Sequence, residues 1–362
     1  MGARNGVQGM DTSNRSASHG PGRPSPAFVQ QLMPPSPSIE PVVPPQHPIT
    51  TAELESLRNE AKASPNDQKM QLTLAKKLIE AANVLADDGG RADVKTARKN
   101  RENFLAQSFK IVKRLATSSH PYPEAIFFYA NCYGNGTLGL AVDHEKAFSL
   151  YQNAAKLNHP QSAYRTAVCC EIGNGTKKEP AKSVQWYRKA AALGDTGAMY
   201  KLGMILLRGL LGEKKTPREA VSWLKRSAEQ ADQEHPHALH ELGMLYEKQD
   251  LADSANGSII HDDAYALELF TKAARLEYPP AQFRLGCCYE YGSLGCPIDA
   301  RKSVSWYSRA AETGDAESEL ALGGWYLTGA SNSEGVILEQ SDSEAFLWTR
   351  KAAEKGELGF FS

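Results

Sequence analysis

From residue 120 onward, one pattern of apolar and small positions returns six times along the chain. A large apolar residue recurs at Leu150, Trp186, Trp223, Leu269, Trp306 and Trp348, spaced by 36, 37, 46, 37 and 42 residues. Four residues after each stands a small pair: Ala154-Ala155, Ala190-Ala191, Ser227-Ala228, Ala273-Ala274, Ala310-Ala311 and Ala352-Ala353. Three residues before each stands another small residue: Ala147, Ser183, Ala220, Ala266, Ser303 and Ala345. Small, large, small at i, i+3 and i+7 is one face of an α-helix, here named helix B. A second pattern precedes it: a small residue, then Gly or Ala five positions on. It reads Ala125/Ala130, Ala198/Gly203, Ala238/Gly243 and Ala281/Gly286, with Ala163/Val168 and Ser318/Gly323 as imperfect members. This is helix A. Its small residues predict close approach of helix B, with the large Leu or Trp of helix B filling the space between layers.

The punctuation agrees with paired helices. Asp143, Thr216, Asp262 and Asp299 sit where helix B needs an N-cap, and Thr216-Pro217-Arg218-Glu219 reads as a capping box with Pro at the first helical position. Gly194 and Gly314 follow helix B where a left-handed C-cap wants glycine. His120-Pro121, His159-Pro160 and His235-Pro236 restart a unit. Residues 120–356 therefore read as six helix-turn-helix repeats, and the expected fold is an all-α, right-handed α-solenoid. The two long spacings come from insertions at Gln249–Asp263 and Ser331–Ser341, both between helix A and helix B and both expected to protrude from one side.

The rest of the chain is different in kind. Residues 51–119 form a helical lead-in, with helices predicted over 66–86 and 95–116 and a break at Asp87, Asp88, Gly89 and Gly90. In the second helix Phe104, Ser108, Ile111, Val112 and Leu115 share one face, while Lys95, Arg98, Lys99, Arg101, Lys110, Lys113 and Arg114 occupy much of the remainder, with Glu102 the only acid. Such a helix either lies on an anionic surface or packs its apolar side on the body and leaves the basic side in water; the second is the simpler reading. Residues 1–50 hold ten of the 20 prolines and one aromatic, Phe28, and predict a disordered tail. Its P-x-x-P spacings, such as Pro34/Pro37 and Pro41/Pro44, suit either a ligand for an SH3-type domain or a solvated segment.

Charge and composition exclude more than they assign. The net charge of -1 hides a lead-in with 13 basic and 9 acidic residues and a repeat region, 120–362, with 25 basic and 31 acidic ones. A nucleic-acid binder would carry a basic excess. No apolar run reaches the roughly 18–20 residues of a membrane span, and Met1–Gly20 has no apolar core of a signal peptide, so a cytoplasmic location is expected. Cys132, Cys169, Cys170, Cys287, Cys288 and Cys296 form no CxxC pair and read as small packing residues. His235, His237 and His240 are the best metal candidates, yet they fall on ordinary repeat positions, so no metal and no cofactor is expected. Asn135-Gly136, Asn174-Gly175 and Asn256-Gly257 read as turns in the repeat loops. Nucleophile-elbow, phosphate-loop and zinc-protease motifs are missing, so the chain reads as a non-enzyme without a small-molecule substrate.

The units, written A-x-x-x-L-G … D-x-x-x-A-x-x-W-Y-x-x-A-A-x-x-G, resemble the Sel-one-like repeat, a relative of the tetratricopeptide repeat. Tyr200-Lys201-Leu202-Gly203 and Ser305-Trp306-Tyr307-Ser308-Arg309-Ala310-Ala311 carry that match. Further stretches resemble the fungal chitin synthase activators: Ala97-Arg98-Lys99-Asn100-Arg101-Glu102-Asn103, Trp223-Leu224-Lys225-Arg226-Ser227-Ala228-Glu229 and Gly295-Cys296-Pro297-Ile298-Asp299. The resemblance covers roughly residues 66–356. It implies a regulatory scaffold whose protein partner is a chitin synthase catalytic subunit, peripheral at the plasma membrane or septum through that partner. The alternative is a general repeat adaptor for a ubiquitin ligase or signalling assembly. Members of the activator family often run on to a prenylated C-terminal box, whereas residues 357–362 here read as a truncated end without a capping helix.

Overall fold

A computed structural model describes residues 48–87, 90–247, 260–332 and 335–356. The tail 1–47, most of the Gln249–Asp263 insertion and the last six residues lie outside the described residues, and with them the expectations made for those segments.

The described residues contain 15 helices and one short hairpin. The lead-in has three: α1 Thr51–Ala63, α2 Gln68–Val84 and α3 Val94–Thr117. Helix A of the six repeats is α4 Pro123–Asn135, α6 Pro160–Ile172, α8 Thr196–Arg208, α10 His237–Glu247, α12 Pro279–Tyr291 and α14 Ala316–Thr328. Helix B is α5 His144–Lys156, α7 Pro180–Ala192, α9 Pro217–Glu229, α11 Asp263–Arg275, α13 Ala300–Glu312 and α15 Asp342–Ala353. The fold is that of an α-solenoid repeat protein, all-helical apart from the hairpin. The chain divides into two compact units, one ending at Ala281 and the other formed from Gln282 on.

In the first unit each helix packs on its sequence neighbour from α1 through α11. α1 was not legible as a separate element, although its start is written in the sequence. Thr50 accepts from Glu53 N, and the Glu53 carboxylate accepts from Thr50 N at 2.8 Å, a complete capping box. α3 buries Ser108, Val112, Leu115 and Ala116, and the Ser108 hydroxyl donates to the Ala75 carbonyl at 2.7 Å. Its apolar side is thus used inside the body.

Two details of the repeat correct the sequence reading. Helix α6 starts at Pro160, two residues before its first small position, as α4 starts two before Ala125. Its small pair is therefore Ser162/Ala167, both buried, while Val168 is only half-buried. The expected capping box at Thr216/Glu219 does not form. Thr216 makes no side-chain cap bond, and the Glu219 carboxylate instead accepts from Arg188 at 2.6 Å and Trp223 Nε1 at 3.3 Å. Asp143, Asp262 and Asp299 do cap, each accepting from the backbone N–H three residues on at 2.9–3.1 Å.

The loop from helix A to helix B repeats a special turn. Leu138-Gly139, Leu211-Gly212 and Leu294-Gly295 all have positive φ at both residues, with leucine at 57°, 55° and 54°. Bonds Leu140 N→Thr137 O, Glu213 N→Leu210 O and Cys296 N→Ser293 O close each at 3.0–3.1 Å. Two left-handed central residues with this bond make a type I′ turn. Leucine rarely adopts that conformation; burial of the Leu138 and Leu294 side chains offsets the strain.

In the second unit the Ser331–Ser341 insertion does not simply protrude. Ala330–Asn332 and Gly335–Leu338 pair as antiparallel strands β1 and β2, and Ile337 and Leu338 are buried with Leu322 and Trp348. The run Val336-Ile337-Leu338 is β-favouring and apolar, so it folds back onto the core.

Candidate interaction surface

In four of the repeats a helix A glycine lets the two helices come unusually close. A Cβ placed on Gly203 would stand 2.7 Å from Leu224 Cγ, and one on Gly243 2.7 Å from Phe270 Cε1. On Gly286 it would meet Tyr307 Cε1 at 2.5 Å, and on Gly323 Thr349 Oγ1 at 2.5 Å. The residue that fills the gap is thus one position after the large residue expected from the sequence: Leu224, Phe270, Tyr307 and Thr349. Leu150, Trp186, Trp223 and Trp306 are only half-buried, whereas Leu269 and Trp348 are buried. The reason is the helical angle. The i+1 position points straight at helix A, and the wide indole lies across the seam with a cation three residues on covering its outer face. Lys189, Arg226, Arg309 and Lys351 stand 5.5, 4.5, 4.7 and 4.7 Å from the indoles of Trp186, Trp223, Trp306 and Trp348. The small residues Ala154, Ala190, Ala273, Ala310 and Ala352 are all buried.

With the register of α6 corrected, a second line of residues emerges on helix A. Three positions before each small residue stand Phe127, Tyr164, Tyr200, His240, Phe283 and Leu320. All six are half-buried. Four of them rest on the helix B filler: Phe127 on Tyr151 at 5.9 Å, Tyr164 on Tyr187 at 5.8 Å, His240 on Phe270 at 5.5 Å and Phe283 on Tyr307 at 5.6 Å. Five of the six positions thus carry a partly exposed ring on helix A, and the sixth, Leu320, is aliphatic. The signal was present in the sequence as an aromatic at i−3 from the small residue, but a one-residue slip in repeat two hid it.

Hydroxyl groups beneath the ladder fix polar side chains. Tyr151 donates to Asn131 Oδ1, Tyr187 to Glu171 Oε2 and Tyr307 to Glu290 Oε2, each at 2.6 Å. Burial pushes the Tyr187 and Tyr307 phenols far up and that of Tyr200 to about 12, so all three stay protonated in neutral solution. Ion pairs join neighbouring A helices: Lys201 to Glu171 at 3.0 Å and Arg208 to Glu241 at 3.7 Å.

In the second unit the A face opens into a cavity of about 550 Å³ lined by Phe283, Cys287, Tyr307, Leu320, Gly324 and Trp325, with Glu290 and Glu317 also contributing. A side chain on Gly324 would meet nothing within 4 Å, and Trp325 Nε1 is buried without a hydrogen-bond acceptor. An aromatic groove of this size suits an extended segment that brings an apolar side chain.

The other candidates are placed by packing. His235 binds Asp232 at 2.9 Å, His237 lies between Tyr200 and Tyr278 at 5.4 and 5.1 Å, and His240 faces Phe270. Among the described residues no three metal-ligating side chains come together. The cysteines are buried or half-buried free thiols, and burial pushes Cys169 up to about 11. No helix of the described residues is long and apolar enough to cross a membrane.

Stacked helix pairs with close small-to-large seams and an open aromatic face on helix A define a helix-pair repeat scaffold. Residues 123–159, 160–195, 196–232, 236–278, 279–315 and 316–357 each match the Sel1 repeat model. The chain belongs to the Sel1 repeat family. A crystal structure of a Sel1 repeat protein from Oxalobacter formigenes shares the fold, with a TM-score of 0.56 and 24% identity over 70% of this chain and 92% of that one. Over 330 residues the chain is 37% identical to Chitin synthase regulatory factor 3 of Schizosaccharomyces pombe, covering 90% of this chain and 34% of that protein. It is 33% identical over 292 residues to the chitin synthase regulator SKT5 of Saccharomyces cerevisiae, covering 78% of this chain and 40% of that protein. The chain therefore spans well under half the length of these two relatives.

Proposed function

We propose that this protein is a non-catalytic regulatory scaffold that binds a chitin synthase and activates or localises it during septum and cell-wall formation. The observation that carries the reading is the 37% identity to a chitin synthase regulatory factor across 90% of the chain, lead-in and repeats alike. A binding role is supported by the packing: helix B buries its fillers Leu224, Phe270 and Tyr307 in the seams, while helix A leaves part of each ladder side chain exposed. Activation then means that binding energy favours the active state of the partner, and no residue of the scaffold does chemistry. The protein works in the cytoplasm and reaches the membrane with its partner.

The test is reconstitution. The purified chain is mixed with the cytoplasmic region of the source fungus's chitin synthase, and binding is measured beside chitin synthesis in isolated membranes. The wild-type chain is expected to bind and to raise synthesis. Gly324→Arg adds a long cationic side chain to the groove lining, at a position where a Cβ meets nothing within 4 Å, and is expected to weaken binding at least about tenfold, the scale of one blocked hot spot. No binding by the wild-type chain, or turnover of a substrate by the chain alone, would refute the proposal.

A further inference from the structure

The basic side of α3 is not used by the seams, the ladder or the groove. The helix has 24 residues and so is about 36 Å long. Its apolar side is packed into the first unit through Val112 and Leu115. On the opposite side stand Lys95, Lys99, Lys110 and Lys113. At about 100° per residue these four fall within roughly 60° of one another, in a single row along the axis. Arg98, Arg101 and Arg114 flank the row, and all seven cations are exposed. Glu102 is the one carboxylate on the helix, and Arg98 already holds it at 3.0 Å. Among the described residues Lys95, Lys99, Arg101 and Lys110 have no carboxylate in ion-pair distance. Lys113 leans over Phe109 at 5.9 Å, and Arg114 donates to Gln71 at 2.9 Å.

Uncompensated like charges along one helix repel each other, and an anionic surface would relieve that repulsion. The shape selects among anionic surfaces. The lysines form one straight, exposed row, and a planar layer of charge reaches all four at once, whereas a peptide laid along the row would be held from one side only. We propose that α3 docks this protein on an anionic lipid bilayer, the four lysines lying in the layer of phosphate and carboxylate headgroups. The contact is electrostatic and superficial, because the apolar side that could enter the acyl region is buried in the fold. This proposal stands apart from the chitin synthase reading, and its test needs no enzyme.

The test is flotation of the full chain with phosphatidylcholine vesicles, with and without phosphatidylserine. Binding is expected only to the anionic vesicles, and it should fall steeply as salt rises. Each lysine near such a surface contributes about a fivefold change in partition. The variant Lys95→Gln/Lys99→Gln/Lys110→Gln/Lys113→Gln should therefore lose several hundredfold in affinity, and helical circular dichroism with a melt shows whether it folds. Glu102→Lys, at an exposed site, removes a negative charge and adds a positive one, so it should move the other way and tighten binding by at least about fivefold, and the outcome does not hang on one variant. Failure to float with anionic vesicles overturns the proposal. So does binding unchanged by both variants, or tight binding to polyglutamate or duplex RNA without binding to vesicles.

Discussion

Replacing Gly286 by alanine is a direct test of how the repeats are held. In a helix interior alanine is favoured over glycine by about 1 kcal/mol, so an uncrowded site would gain stability. The new methyl would stand 2.5–2.6 Å from Tyr307 Cε1 and Cδ1, well inside contact distance. Tyr307 is buried, and its hydroxyl is bound to Glu290 at 2.6 Å. The ring cannot swing away without leaving that bond, so α12 must move off α13. Overpacking of this kind costs about 1–3 kcal/mol, and a displaced hydroxyl adds about 1–3 more if its bond is lost. Set against the alanine gain, the expected net loss is about 0–2 kcal/mol if only the helices part and about 1–5 kcal/mol if the hydroxyl bond is lost as well. Ala130 and Ala167 hold the same repeat position in α4 and α6, opposite Tyr151 and Tyr187, so the alanine–tyrosine pair is possible where the seam is built for it. The cost at Gly286 is that of re-spacing one seam. Gly324→Ala is the control, since its methyl meets nothing within 4 Å and it should gain up to about 1 kcal/mol. Trp306, Trp325 and Trp348 report unfolding of the second unit by fluorescence in a urea titration. A midpoint for Gly286→Ala at or above wild type, or equal shifts for the two variants, would refute the seam argument.

Burial holds the imidazoles of His159 and His237 below their ordinary value. The unfolded chain then takes up protons first, near pH 6.5, so their stability contribution is complete above that pH and declines as pH falls below it. The melting temperature should drop between pH 7.5 and 5.5, and the variant His159→Asn/His237→Phe should flatten the slope; an identical slope counts against the assignment. Glu319 is fully buried and faces Lys351 at 2.9 Å and Lys355 at 2.7 Å. Removing both amines by Lys351→Met/Lys355→Met should cost about 3–5 kcal/mol, because it strands a buried charge, and adding Glu319→Gln should recover part of it. A melt in which the amine-free variant matches wild type would show that the carboxylate is solvated.

Most of the fold was legible because each repeat states its own geometry. Small residues five apart on helix A and the alanine pair on helix B mark surfaces that must touch, and a helix shows them at fixed spacing. The filler was misread because Trp186 and Trp306 are larger than Tyr187 and Tyr307, and size is a poor guide to which of two adjacent positions faces inward. The aromatic ladder was hidden by the Ala163/Val168 register, since Ser162 is less obviously a small packing residue than Ala163. The hairpin was missed because Val336-Ile337-Leu338 is short and sits inside an insertion, where the repeat pattern says nothing. Thr216 shows the limit of local rules: Glu219 had the right spacing for a capping box, but Arg188 on the preceding helix B competes for it.

The type I′ turns at Leu138-Gly139, Leu211-Gly212 and Leu294-Gly295 have a kinetic consequence. Each closes within four residues and sets its helix pair before any distant segment has arrived. Contacts between helix A and helix B of one repeat, and between one repeat and the next, are then all near in sequence. Chains with such low contact order fold fast, and any repeat can serve as the nucleus from which its neighbours grow. A nascent chain would therefore begin to fold as its first repeats emerge, without waiting for its C-terminal half.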